Sequence, residues 1–229
     1  MKVSVITINY NNKEGLEKTI TSTINQTSKD FEFIVIDGAS TDGSLEVIKK
    51  FTDQISYWIS EPDKGIYNAM NKGIEKANGE YCIFMNSGDC FYSKNVIEDF
   101  INLSKDSGIV CGDTWMGKLK KAPDEITFDT LYNLSICHQS AFIRTSMMKK
   151  YRYDESLRIV ADRKFFVQAL ILENCSYEHI NTIIVDYDIT GFSAQNRTLS
   201  ELEYKQVIEQ LIPQRIRTDY GRNKEGKLH

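Results

Sequence analysis

The chain is 229 residues long, with 41% hydrophobic side chains and a formal net charge of −4, enough apolar material for one large core or two fused halves. The acidic balance argues against a nucleic-acid binder, which carries a basic excess, so no nucleic-acid partner is expected. With only three prolines and thirteen glycines there is no low-complexity linker, and no internal repeat is visible.

The cysteines at 82, 90, 111, 137 and 175 never form a C-x-x-C pair. That spacing speaks against zinc and against a disulfide framework, and fits a reducing cytosol. The sequence opens directly on a strand pattern and has no run of about 18 apolar residues. The expectation is a cytoplasmic protein.

Val3 to Ile8 reads as a buried strand ending in the polar loop Asn9-Tyr10-Asn11-Asn12. Leu16, Ile20 and Ile24 recur at helical spacing, and Phe31 to Ile36 is a second strand that stops at Asp37-Gly38-Ala39-Ser40-Thr41-Asp42-Gly43-Ser44. Helix capping accounts for Thr41, Asp42 and Ser44 but not for Asp37, which sits before the turn, where a carboxylate can accept a pyrimidine ring N–H or a ribose hydroxyl. Ile55 to Ser60 is a third strand. The turn Glu61-Pro62-Asp63-Lys64-Gly65 then leads into a helix with Ile66, Ala69, Met70, Ile74 and Ala77 on one face. Asn78-Gly79 predicts a left-handed helix exit. Tyr81 to Met85 is a buried strand delivering Asn86-Ser87-Gly88-Asp89 to its carboxyl end, the edge where open α/β sheets bind ligands. Ser93 is expected to cap a helix carrying Val96, Ile97, Phe100 and Leu103, and Gly108 to Gly112 is a further strand. This alternation predicts a largely parallel sheet whose Asn9, Asp37 and Asp89 loops converge on one edge.

The second half changes texture. Asp113 to Lys121 predicts a hairpin or loop, Phe128 to Leu134 a short helix, and Cys137-His138-Gln139-Ser140 precedes a strand from Ala141 to Ile143. Ala161-Asp162 opens a helix with Phe165, Phe166, Ala169, Leu170 and Leu172 toward the core. Thr182 to Tyr187 is a late strand, Gly191-Phe192-Ser193 a turn, and Leu199 to Ile212 an amphipathic helix. The following Arg215, Arg217, Arg222, Lys224 and Lys227 read as solvated surface with a modest attraction to an anionic membrane or a pyrophosphate carrier.

Three segments in order, V-S-V-I-T-I-N-Y-N, I-V-I-D-G-A-S-T-D-G-S and S-E-P-D-K-G-I-Y-N-A-M-N-K-G-I-E-K-A-N-G-E-Y, resemble the nucleotide-binding half of the inverting family 2 glycosyltransferases. With I-C-H-Q-S-A-F, the likeness is to members that build bacterial capsule, exopolysaccharide or colanic-acid-type chains, and it covers roughly residues 1–193.

The resemblance implies an α/β GT-A fold, the nucleotide-diphospho-sugar transferase fold: a mostly parallel central sheet flanked by helices, with a C-terminal helical extension. The donor-binding half would be 1–112, the acceptor-binding and catalytic half 113–197, and the C-terminal helix and basic tail 198–229. It further implies that Thr7 and Asn9 line a nucleotide pocket, that Asp37 reads uracil, and that Asp63 and Lys64 border the diphosphate. Asn86 would meet a ribose hydroxyl, Asp89 would hold Mg2+ or Mn2+, His138 and Gln139 would contact the acceptor, and Asp162 would be the base. The acceptor would be a saccharide, free or lipid-linked, reached at the inner face of the membrane. The family's Asp-x-Asp-Asp reads Asn86-Ser87-Gly88-Asp89 here, which predicts a weaker metal site. It also keeps open a second reading, a nucleotide-binding protein of this fold without transferase activity. A nicotinamide oxidoreductase is set aside, since no G-x-G-x-x-G follows the first strand.

Overall fold

The structure, a computed structural model, describes residues 1–133, 136–191 and 196–224. Strand β1 (Val3–Asn9) runs parallel to β2 (Phe31–Asp37), with Val3 opposite Phe31 and Asn9 opposite Asp37, so the two strands end level. Beyond β2 lies β3 (Tyr57–Ser60), and beyond β1 lies β4 (Tyr81–Phe84), both parallel to their neighbours.

The period-2 alternation of these strands divides their side chains between two layers. Val3, Val5, Phe33 and Val35 pack with Leu16 and Ile20 of α1 (Lys13–Ile24) and Val47 and Ile48 of α2 (Ser44–Lys50). Ile6, Ile34 and Ile36 pack the other way, against Met70 and Ile74 of α3 (Ile66–Lys76). Contact between α3 and β1 requires a residue without a side chain: a Cβ on Gly73 would lie 2.4 Å from Ile6 Cγ2.

The parallel order holds across β3-β2-β1-β4 and again between β6 (Ile109–Trp115) and β9 (Tyr177–Asp186). Between β4 and β6, β8 (Ala141–Arg144) inserts antiparallel to both. The short β5 (Cys90–Phe91) runs antiparallel to β9, and β7 (Leu119–Lys120) closes the expected hairpin on β6, so the whole sheet is mixed.

The remaining helices are α4 (Val96–Leu103), α5 (Phe128–Asn133), α6 (Thr145–Tyr151) and α7 (Ala161–Phe166), the last continuing as a π-helical stretch over Val167–Leu172. They are followed by α8 (Arg197–Leu211) and α9 (Gln214–Lys224). Tyr204, Val207, Ile208 and Ile212 enter the same core as Phe165 and Phe166, so α8 packs on its own domain.

Several local expectations are corrected. Helix α3 ends through Ala77 in an extended conformation, not through a left-handed Gly79. Gly79 is needed because a Cβ there would lie 2.6 Å from the Ser4 backbone nitrogen, while its N–H donates to Ser4 Oγ at 2.8 Å. Ser93 does not cap α4; Gln26 reaches across and accepts the Ile97 N–H at 3.1 Å. The segment carrying Arg215 and Arg217, read as surface, leaves Arg215 exposed on a helix, in keeping with that reading. Of the turn expected at 191–193, residues 192 and 193 lie outside the described residues, as do Leu134 of the expected short helix and Lys227 of the basic tail.

Candidate active site

The level ends of β1, β2 and β3 are tied together by one carboxylate. Asp37 has no exposed surface; its Oδ1 accepts from Asn9 Nδ2 at 2.7 Å and Ser40 Oγ at 2.6 Å, and its Oδ2 from Ser40 N–H at 3.0 Å and Ser60 Oγ at 2.6 Å. Thr7 is equally buried, its hydroxyl donated to the Met85 carbonyl at 2.7 Å. Neither lines the cleft above the sheet edge; both are buried among the strand ends. Asn9 does line it, as does Gly38, where a Cβ would meet Asp63 Oδ2 at 2.9 Å and the Tyr10 ring at 3.1 Å. The missing side chain thus lets an acid and an exposed aromatic close on the Gly38 backbone. Asp63 is held by Lys72 at 2.6 Å, while Lys64 stands exposed at the rim.

Further along the edge, β4 carries Asn86 and Asp89 to the cleft, and the 3-10 turn His138–Ser140 ahead of β8 brings His138 and Gln139 against them. Asp89 is 4% exposed, its Oδ1 accepting the Asp188 N–H at 2.9 Å and its Oδ2 the Gln139 amide at 3.1 Å. Burial pushes its carboxyl up to about 6, against the pull of those donors and of His138, and the nearby Asp188 adds to the rise. Gly88, at φ +107°, admits Asp188: a Cβ there would lie 2.6 Å from Asp188 Oδ2. Asn86 Oδ1 is buried without a hydrogen-bond partner, and its Nδ2 is 3.5 Å from His138 Nε2.

Asp162 stands in the first turn of α7 on the same cleft. Its Oδ2 faces His138 Nδ1 at 3.1 Å, and its Oδ1 is 3.2 Å from the Tyr67 hydroxyl, which is also directed at the Ile159 carbonyl. Facing an ionised carboxylate, Nδ1 carries the hydrogen, which in the neutral ring leaves Nε2 an acceptor. Burial, and then the charge of Asp162, push the Tyr67 hydroxyl well above the usual phenol range, so it remains a donor.

Asn9, Asp63, Lys64, Asn86, Asp89, His138, Gln139 and Asp162 therefore share one cleft of about 1230 Å³. Tyr10, Tyr67 and Asp188, which sequence reasoning passed over, line it as well. Tyr67 falls in the apolar rhythm of α3 and reads as core, and Asp188 lies about a hundred residues from Asp89, with no spacing to flag it.

Solved structures share this fold at low sequence identity. S. aureus TarS residues 1–349, solved with UDP-GlcNAc, matches with a TM-score of 0.70 at 21% identity over 86% of this chain and 61% of that one. The mannosyltransferase PcManGT of Pyrobaculum calidifontis, solved with GDP-Man and Mn2+, matches with a TM-score of 0.71 at 14% identity over 92% and 64%. The chain spans 36% of the longer TarS chain. The fold is thus of the GT-A type. More particularly, residues 4–161 match the model of Glycosyl transferase family 2, and the chain belongs to that family. An uncharacterized glycosyltransferase of Mycobacterium tuberculosis is 32% identical over 82% of this chain and 76% of its own. A PGL/p-HBAD biosynthesis glycosyltransferase of Mycobacterium bovis is 25% identical over 88% and 81%.

Proposed function

We propose that the protein transfers a sugar from a nucleotide-sugar donor, a UDP-sugar, to a saccharide acceptor with inversion at the anomeric carbon, in polysaccharide assembly. The observation that carries the reading is the gathering of Asp89 and a braced Asp162 on one cleft with Asn9 and Asp63. The donor half supplies the exposed Tyr10 ring beside Asn9 and Asp63 for the base, with Asp37 fixing the strand ends beneath it. The unpartnered Asn86 Oδ1 suits a ribose-type hydroxyl, which would satisfy a buried acceptor.

Inversion requires an acceptor hydroxyl to attack the face opposite the departing diphosphate. Asp162 takes that hydroxyl's proton, and general-base catalysis of this kind supplies typically about 10²–10⁴-fold. His138 and Tyr67 each engage one of its oxygens, fixing the carboxylate's orientation. His138 and Gln139 together form the wall against which the acceptor is held.

The donor set fits a divalent ion. Among the described residues no group of three His, Cys, Asp or Glu forms a complete cage. Asp89 and the Asp188 admitted by Gly88 offer hard carboxylate oxygens, with phosphate oxygens and water filling the remaining positions, a set that suits Mg2+ or Mn2+. Such an ion supplies Lewis-acid neutralisation of the leaving diphosphate.

Calorimetric titration of UDP, GDP and CDP with and without Mn2+ tests the donor site, the expected result being metal-dependent binding of UDP alone. Asp162→Asn is expected to lower turnover by at least 10²-fold while UDP affinity stays within about twofold. Near-normal turnover in that variant would remove Asp162 as the base. Metal-independent UDP binding with no turnover by the wild type would favour a binding-only protein.

A further inference from the structure

Two arginines at the Asp162 end of the cleft have no role in the reading above. Arg158 and Arg163 both line the cleft, together with Leu157, Ile159 and Ser200, and Arg163 follows Asp162 in the first turn of α7. The Arg163 guanidinium carbon lies 3.3 Å from the centroid of the buried Tyr204 ring, which fixes the group as a flat plate. Its Nε is buried without a hydrogen-bond partner. Arg158 is exposed, and among the described residues neither guanidinium forms an ion pair.

The acids close by are committed elsewhere. Asp162 faces His138 and Tyr67, and Asp154 pairs with Lys164 at 2.6 Å. Glu203 spends both oxygens on the N–H groups of Arg158 and Ile159, at 2.8 and 2.9 Å. A guanidinium held flat on an aromatic face at a partly buried site is arranged for the bidentate geometry of an oxyanion. A second cation five residues earlier doubles the charge.

We propose that this end of the cleft binds a phosphate group carried by the acceptor, beside the hydroxyl that Asp162 deprotonates. The inference rests on the transferase reading of the cleft and adds the acceptor's chemical class: a phosphorylated saccharide, either a lipid-linked saccharide diphosphate or a free sugar phosphate. Arg163 grips the phosphate and Arg158 supplies the second charge, while the neutral part of the acceptor lies toward His138 and Gln139.

The test uses the full chain with UDP and Mn2+ saturating, so that the donor site is filled, and titrates inorganic pyrophosphate and geranyl diphosphate by calorimetry. Wild type is expected to bind pyrophosphate, and Arg163→Met and Arg158→Met each to weaken it about tenfold or more, with UDP affinity unchanged. Tighter binding of geranyl diphosphate than of pyrophosphate assigns the phosphate to a lipid carrier, and equal binding assigns it to a free sugar phosphate. Should Arg163→Met fail to fold, the exposed Arg158→Met carries the test alone. No pyrophosphate binding by the UDP-loaded wild type, or equal binding by wild type and variants, overturns the proposal. So does a loss of UDP affinity in Arg163→Met, which would put that arginine at the donor diphosphate. Failure of UDP itself to bind overturns the donor-site reading instead, and the two failures are separable.

Discussion

Asp37 ties the strand ends together without lining the cleft. It accepts four hydrogen bonds from three different segments and has no exposed surface. Asp37→Ala would strand Asn9 Nδ2, Ser40 N–H and Ser60 Oγ, and should lower stability by about 3 kcal/mol, read as a drop in the urea midpoint. Its position at a strand end was legible in the sequence. Its distant partners were not, because Asn9 and Ser60 reach it only once β1, β2 and β3 are paired in register. His138 was likewise visible as a lone histidine, while its contact with Asp162, 24 residues away, is made by the 3-10 turn ahead of β8 and the first turn of α7.

At the scale of elements, α3 is the piece on which the donor side turns. Its apolar rhythm is plain in the sequence, and so is the turn that precedes it, but the reason for Gly73 is tertiary. A Cβ at 2.4 Å from Ile6 Cγ2 must push α3 off β1. Gly73→Ala is expected to cost about 1–3 kcal/mol as overpacking, offset in part by alanine's better helix propensity, and to weaken UDP binding because Asp63, Lys64 and Tyr67 all ride on α3 or the turn before it. Denaturant unfolding and UDP calorimetry on the same variant check both halves. The strands that short apolar runs made visible are those buried on both faces. The two-residue β5 carries too few residues for a pattern, and the antiparallel direction of β8, itself read as a strand, is set by where the chain returns.

Over the whole molecule, the second half holds the Asp162 segment in place from several directions. Glu203 of α8 binds the N–H groups of Arg158 and Ile159, Tyr204 donates to the Leu131 carbonyl at 2.6 Å, and Asp154 anchors Lys164 of α7. Burial alone would raise the Asp154 carboxyl, but Lys164 and then Ser156 outweigh it and hold it at about 2. With an ordinary value near 3.9 in the unfolded chain, this depressed group contributes stability above about pH 4 and loses it as pH falls toward about 2. Asp154→Asn should therefore be less stable than wild type at pH 6, and the gap should close by about pH 2, as followed by urea midpoints across that range. No helix among the described residues is long and apolar enough to cross a membrane, as hydropathy anticipated. By itself, the sequence determined the alternating strands and helices, the acidic loops at strand ends and the family likeness, because each of these is written in local spacing and in ordered motifs. Only the tertiary structure decided that Thr7 and Asp37 support the cleft from below, that Asp188 joins Asp89, and that His138 and Tyr67 brace Asp162. Those are pairings across 24 to about a hundred residues, fixed by the order of strands in a mixed sheet, which no local pattern encodes.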